Sequence, residues 1–126
     1  MILLDTCCLL WRSFEKNTLS AKALFAIDDS SHTCISSISF WEIGIKVKNK
    51  KLALPSSMED FVNSTKTIFG IQIIPVDEWI WLDSVNLNWP HRDPADRVLV
   101  ATASKLNCPI VTSDKIISDY YPHIIW

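Results

Sequence analysis

Short apolar runs alternate with amphipathic segments along the whole chain. The runs at 2–4, 33–36, 71–74 and 109–112 have the length and β-branched content of buried strands, and 123–126 adds a last one. The segments between them carry apolar residues at helical spacing. Strands that alternate with helices predict an α/β fold with a mainly parallel sheet flanked by helices.

Helix start and stop signals place the helices between these strands. Asp93-Pro94 is an N-cap followed by proline at the first helical position, and Ser37 or Ser39 opens an earlier helix. The predicted helices span 6–14, 20–27, 37–48, 57–70, 77–86, 93–107 and 116–120.

Length and glycine content limit the possible functions. The 126 residues form a single predicted domain, 1–126, with no repeat or low-complexity segment. The two glycines, Gly44 and Gly70, are too far apart for a phosphate-binding P-loop or a dinucleotide-binding turn. The sequence shows neither a signal peptide nor an apolar run long enough to span a membrane, so we expect a cytoplasmic protein.

The charge and cysteine content qualify this picture. The formal net charge of −2 is unlike that of a typical basic nucleic-acid-binding protein, but a cluster of metal-binding acids would distort the count. Cys7, Cys8, Cys34 and Cys108 form no Cys-x-x-Cys pair, and no histidine lies near them in sequence. We therefore expect free thiols rather than a zinc site or disulfides.

Four acids follow predicted strands or open helices that follow them. Asp5 comes directly after the first strand, and Asp114 comes just after the fourth. Glu42 lies about one turn into the helix after the second strand, and Asp96 lies in the first turn of its helix. The carboxyl ends of parallel strands share one edge, where ligands bind. Carboxylates gathered there suit Mg²⁺ or Mn²⁺ and therefore phosphodiester hydrolysis.

Purely structural roles for these acids remain open at this point. Asp96 and Asp93 can satisfy helix N–H groups, Glu42 is spaced for an i,i+4 ion pair with Lys46, and Asp114 suits a turn. An acid at the end of a buried first strand, in contrast, has no evident structural duty.

The ordered motifs of the chain resemble a known family. They are Leu3-Leu4-Asp5-Thr6, Leu9-Leu10-Trp11, Ser36 to Ile43 with Lys46, Lys51-Leu52 with Leu54-Pro55, His91 to Arg97, and Val111-Thr112-Ser113-Asp114. Together they cover nearly the whole chain and resemble the PIN-domain ribonucleases, in particular the VapC-type toxins of type II toxin–antitoxin systems.

The resemblance implies a Mg²⁺- or Mn²⁺-dependent endoribonuclease that leaves a 5′-phosphate and a 3′-hydroxyl. It also implies a homodimer, an RNA substrate and a cognate antitoxin that blocks the site. The catalytic and metal-binding residues implied are Asp5, Glu42, Asp96 and Asp114. Supporting positions next to them are Asp93, Thr112 and Thr6, and candidates for contact with RNA phosphates are Arg97, His91 and Lys46.

Two alternatives are kept beside this prediction. One is a catalytically inactive PIN-like binding module, which the presence of all four acids disfavours. The other is a receiver-like phosphoacceptor domain, which usually has paired acids after its first strand, whereas Asp5 is followed by Thr6, Cys7 and Cys8.

The six tryptophans complete the prediction. Trp11 and Trp41 are expected in the core. Trp79 and Trp81 are two residues apart on a predicted helix, so they cannot both face one core stripe. One of them is expected to lie on a subunit or antitoxin surface.

Overall fold

A computed structural model describes all 126 residues. It contains one five-stranded sheet, seven α-helices and a 3₁₀ turn at Lys16–Thr18. The strands are β1 (Ile2–Leu4), β2 (Thr33–Ser36), β3 (Gln72–Ile74), β4 (Ile110–Val111) and β5 (Ile124–Ile125). The helices are α1 (Thr6–Phe14), α2 (Ala21–Asp29), α3 (Ile38–Lys48), α4 (Met58–Thr67), α5 (Glu78–Asn86), α6 (Pro94–Leu106) and α7 (Lys115–Tyr120).

The strands pair in the order β3-β2-β1-β4-β5, and every pair is parallel. The α/β prediction is therefore confirmed. The order runs outward from β1 in one direction and from β4 in the other, so the topology switches between these two central strands. Receiver domains instead have the order 2-1-3-4-5, so the receiver-like alternative is wrong.

The central strand separates two layers of core. Leu4 points to a layer that contains Leu9 of α1 and Phe61 of α4, whereas its neighbour Leu3 points to a layer that contains Leu99 of α6. Successive strand residues face opposite sides, so a short buried strand supplies both layers. This packing fixes the orientation of β1 and of the residue that follows it, Asp5.

Side-chain caps begin most of the helices where the sequence predicts them. Ser20, Ser57, Asp77 and Asp93 each accept a hydrogen bond from a backbone N–H in the first turn of α2, α4, α5 and α6. Ser37 occupies the N-cap position of α3, but its hydroxyl accepts from the Val76 N–H instead. It thereby ties α3 to the segment after β3.

Two features differ from the sequence-based prediction. The helix expected over 57–70 ends at Thr67, and the chain turns at Gly70 with φ of 62°, a conformation suited to glycine. Trp41 was expected in the core, but it is 52% exposed. It follows Phe40 on α3 and is rotated about 100° away from the buried stripe that includes Ile43.

None of the helices is both long and apolar enough to cross a membrane.

Candidate functional site

A pocket of about 210 Å³ lies at the carboxyl edge of the sheet, where the topology switches between β1 and β4. All four acids singled out in the sequence line it, although they come from four distant segments. The polar lining residues are Asp5, Thr6, Cys7, Glu42, Lys46, Asp93, Asp96 and Asp114.

Asp5 is the most buried acid of the pocket, with 7% of its surface exposed. One carboxylate oxygen accepts from the Cys8 N–H at 2.7 Å, which makes Asp5 the N-cap of α1. The other accepts from the Thr112 hydroxyl. Burial raises the pKa of Asp5 above its ordinary value, because a buried carboxylate loses hydration that these two hydrogen bonds only partly replace.

Thr112 connects two of the acids. Its buried hydroxyl donates to Asp5 and accepts from the Asp114 N–H at 3.0 Å. Asp114 in turn is the N-cap of α7, because its carboxylate accepts from the Ile116 N–H at 2.8 Å. The end of β4 is thereby held in register with the end of β1.

Asp96 lies in the first turn of α6 and is held at two points. Its backbone N–H donates to the Asp93 carboxylate at 3.0 Å, and its side chain pairs with His91 Nε2 at 2.6 Å. Burial raises the pKa of Asp96 to about 6, and the charges of Asp93 and Asp114 act in the same direction. The His91 hydrogen bond opposes this shift.

Glu42 and Lys46 lie one turn apart on α3, and both line the pocket. They do not form the i,i+4 ion pair that their spacing allows, since the ion pairs of the chain involve other residues. The side chains of Glu42 and Lys46 are therefore both available to a ligand in the pocket.

The donor set suits a hard divalent cation in its chemistry. Asp5, Glu42, Asp96 and Asp114 offer only carboxylate oxygens, the ligands that Mg²⁺ and Mn²⁺ prefer. Burial is the main cause of the raised pKa values of Asp5 and Asp96, and the charge of Asp114 adds to both shifts. In the structure no three His, Cys, Asp or Glu side chains are close enough to hold an ion. Binding would therefore require the carboxylates to draw together.

The predicted supporting residues occupy different positions. Asp93 and Thr112 hydrogen-bond to the backbone or side chain of a pocket acid, as described above. Thr6 lines the pocket, but its hydroxyl donates to the buried Ser39 hydroxyl at 2.9 Å and so joins α1 to α3.

Two of the three residues predicted to contact RNA do not line the pocket. His91 lies behind Asp96, and Arg97 directs its guanidinium to backbone carbonyls on the side of α5. Lys46 alone among these candidates is a lining residue. Contact with RNA was predicted for His91 and Arg97 because they are close to Asp96 in sequence. Consecutive residues of a helix point about 100° apart, so Arg97 faces a different side of α6 from Asp96.

Sequence reasoning missed two features of the site. Cys7 is an exposed lining residue, and its position in the first turn of α1, two residues after Asp5, was a usable signal. Although the residue is exposed, its thiol is partly desolvated in the pocket, and this desolvation together with the Asp5 charge raises the pKa of the thiol. The capping duty of Asp5 was also missed, although an acid directly before a helix is a usual N-cap.

Comparisons with known proteins agree with this architecture. No curated protein matches the sequence. Among solved structures, a toxin-antitoxin complex from Klebsiella pneumoniae superposes with a TM-score of 0.68 at 19% identity, covering 100% of this chain and 97% of that chain. FitAB bound to IR36 DNA fragment gives 0.60 at 20% identity, with coverages of 98% and 93%. FitAcB from Neisseria gonorrhoeae gives 0.56 at 20% identity, with coverages of 98% and 96%.

At these identities the structural similarity supports the fold. The sequence model of the PIN domain family matches residues 2–121, nearly the whole chain. With this match, the chain belongs to the PIN domain family.

Proposed function

We propose that the protein is a Mg²⁺- or Mn²⁺-dependent endoribonuclease, a VapC-type toxin controlled by a cognate antitoxin. The observation that carries the proposal is the pocket at the topological switch point, which four carboxylates from distant segments line. Membership of the PIN domain family and the ordered VapC-like motifs support it.

Each acid has a defined part in this proposal. Asp5, Asp96 and Asp114 are the acids whose backbone or side-chain partners hold them at the pocket, and Glu42 completes the set from α3. A divalent ion bound by them would activate water and neutralise charge on the phosphate. Lys46 supplies the cation that a backbone phosphate of RNA would contact.

A cleavage assay with a matched control tests the activity. Purified protein is incubated with mixed single-stranded RNA and Mg²⁺ or Mn²⁺, and the product ends are mapped. We expect 5′-phosphate products that disappear with EDTA and in Asp5→Asn. Asp29→Asn removes an exposed acid at the C-terminal end of α2, outside the pocket, and should retain full activity.

The inactive PIN-like alternative makes the opposite prediction. A folded protein that cleaves no RNA with either metal and shows no Mn²⁺ binding by calorimetry would establish the alternative. Cleavage that persists in EDTA and in Asp5→Asn would contradict both, because neither allows hydrolysis independent of these carboxylates.

An antitoxin partner follows from the same proposal. A structure of similar fold is described as a toxin-antitoxin complex, which supports this partner class. Expression of the chain alone should arrest growth of a bacterial host, whereas Asp5→Asn should not. Co-expression with the protein encoded by the adjacent small gene should restore growth, and unchanged arrest would exclude that protein as the antitoxin.

We also propose a homodimer formed through α3 and α5. Trp41 of α3 and Trp81 of α5 line one groove of about 500 Å³, and both are substantially exposed. Ile45 lies one turn after Trp41 on α3, and Val85 lies one turn after Trp81 on α5. Both are exposed, as is Leu82 next to Trp81. Contiguous apolar surface on two helices is typical of a self-complementary interface, in which a two-fold axis pairs the patch with its copy.

A further inference from the structure

The guanidinium of Arg97 uses all five of its N–H donors on backbone carbonyls. Nε donates to Ser84 at 2.9 Å, and one terminal nitrogen donates to Val85 and Leu87 at 3.2 and 3.0 Å. These carbonyls belong to the last turn of α5 and its C-cap, whose acceptors have no partner within the helix. Arg97 therefore caps α5 from the neighbouring helix α6.

The same side chain also fixes the connection between α5 and α6. The second terminal nitrogen of Arg97 donates to the carbonyls of Trp89 at 2.6 Å and His91 at 2.9 Å. The Trp89 indole stacks on Tyr120 of α7 with ring centres 4.6 Å apart and planes 4° apart. The segment 87–91 is thus held on its backbone and through a side chain, without secondary structure of its own.

The segment 87–91 ends at His91, the only side chain that hydrogen-bonds to the Asp96 carboxylate. His91 Nε2 lies 2.6 Å from the carboxylate, and the ring packs 4.8 Å from the Trp89 indole. An ionised carboxylate only accepts hydrogen bonds, so Nε2 carries the proton and donates. The contact with the Trp89 indole constrains the imidazole ring, and the hydrogen bond from Arg97 to the His91 carbonyl constrains the backbone of the same residue.

We propose that Arg97 and His91 are positioning residues: Arg97 shapes the segment 87–91 so that His91 orients the Asp96 carboxylate toward the pocket. The inference rests on the proposed metal-dependent function for its catalytic consequence. Neither residue touches RNA in this scheme, which separates it from the sequence-based expectation that both contact phosphate.

The distinction gives different kinetics. If His91 orients Asp96, His91→Phe lowers kcat for RNA cleavage and leaves KM nearly unchanged. It also weakens Mn²⁺ affinity measured by calorimetry about 10-fold, the lower end of the usual effect of removing a partner of a metal ligand. If His91 contacts RNA instead, KM rises, Mn²⁺ affinity stays at the wild-type value, and the proposal is overturned.

A conservative replacement tests the hydrogen bond itself. Gln places an amide N–H near the position of Nε2, so His91→Gln should recover most of the Mn²⁺ affinity that His91→Phe loses. His123→Phe is the matched control, since His123 is an exposed histidine remote from Asp96, and it should behave as wild type. Equal losses in the Gln and Phe variants would contradict the orienting role.

Arg97 is tested through the segment it holds. Arg97→Met should speed amide hydrogen exchange over 87–91 at least 10-fold and weaken Mn²⁺ binding, whereas Lys105→Met, an exposed charge on the same helix, should do neither. Faster exchange with unchanged Mn²⁺ affinity would reduce Arg97 to a helix cap and overturn its positioning role. His91→Phe keeps the test decisive if Arg97→Met does not fold.

A structural readout separates failure of this inference from failure of the proposed function. In a crystal structure of His91→Phe without metal, the Asp96 carboxylate should leave the position it has in the wild-type protein. An unchanged Asp96 rotamer overturns the inference even if the wild type is an active nuclease. A displaced Asp96 supports it even if the wild type neither binds Mn²⁺ nor cleaves RNA, a result that contradicts only the proposed function.

Discussion

The pocket acids serve the fold and the site with the same atoms. Asp5 caps α1 and Asp114 caps α7 through carboxylate oxygens, while both side chains line the pocket. Asp96 and Glu42 differ from these two acids. The Asp96 carboxylate accepts only from His91, the Glu42 carboxylate forms no hydrogen bond within the protein, and neither caps a helix. Because burial raises the pKa of Asp96, replacing Asp96 should reveal the electrostatic cost of the pocket with little structural damage.

Asp96→Asn should stabilise the metal-free protein at neutral pH. The pKa of Asp96 is raised to about 6 in the folded state, against 3.8 for an ordinary aspartate. The unfolded chain ionises first as pH rises, so this group reduces stability progressively between about pH 4 and pH 6, and the full loss persists above that range. The neutral amide avoids that loss, and we expect a gain of about 1–2 kcal/mol at pH 7.5.

Urea unfolding at several pH values provides the measurement. The advantage of Asp96→Asn over wild type should shrink toward zero as pH falls to 4, where both states of the wild-type aspartate become protonated. Asp29→Asn removes an exposed acid outside the pocket and should show no such trend. A gain that is constant across this range would mean that the charge of Asp96 is not its source.

Thr112 offers a second test at the level of one hydroxyl. Thr112→Val removes the donor to Asp5 and the acceptor of the Asp114 N–H while it preserves side-chain volume. We expect about 10-fold slower cleavage, because both acids lose a partner that orients them. Stability should fall by about 1–3 kcal/mol, since the site is buried.

The conservative change is the control. Thr112→Ser retains the hydroxyl and should cleave RNA at nearly the wild-type rate in a single-turnover assay. Equal activity of the Val and Ser variants would show that the hydroxyl does not organise the acids.

At the scale of elements, the start of α6 combines a cap with a site residue. Asp93 accepts from the Asp96 N–H at 3.0 Å and is followed by proline at the first helical position. Asp93→Ala should lower the free energy of unfolding by about 1 kcal/mol, because the orphan N–H loses its acceptor. Asp93→Ser keeps an acceptor and should lose much less in the same urea titration.

The two variants also separate the cap from the charge. If Asp93 only supports the site through the helix start, Asp93→Ser should retain cleavage activity. A large loss of activity in the stable Ser variant would instead assign the Asp93 carboxylate to the metal or its water.

Local signals explain why the elements were largely predictable. A cap such as Ser57 or Asp93 and a short apolar run such as Ile2–Leu4 act within a few residues, so the sequence displays them directly. The five hydrogen bonds of Arg97 join α6 to α5 and a loop, and no spacing in the sequence reports such a contact. The prediction for Trp41 was wrong for a different reason. Its large apolar side chain suggests burial, but its position on α3, one residue after Phe40, places it on the exposed side of the helix.

At the scale of the whole molecule, the parallel sheet brings the acids together. Asp5 follows β1 and Asp114 follows β4, and these neighbouring strands form the switch point of the order β3-β2-β1-β4-β5. The grouping of four carboxylates was predictable once all strands were taken as parallel, since every carboxyl end then lies on one edge. Their hydrogen-bond partners were not, because Thr112 and His91 act across the fold.

The proposed homodimer gives the last test at this scale. Val85 on α5 is 73% exposed, so Val85→Glu should not disturb the core. In the dimer the new carboxylate would be desolvated beside its two-fold copy, which costs several kcal/mol and should weaken dimerisation more than 100-fold. Sedimentation velocity should then detect a monomer at micromolar concentration, where the wild type is a dimer.

The control is Phe25→Glu, which places the same charge at a 70% exposed apolar residue on α2. This variant should remain dimeric, because α2 lies outside the surface formed by Trp41, Trp81 and Val85. A monomeric wild-type protein would contradict the homodimer. A wild type whose dimer is disrupted by Phe25→Glu but not by Val85→Glu would move the interface to α2, and the apolar groove between α3 and α5 would then be free for a different partner.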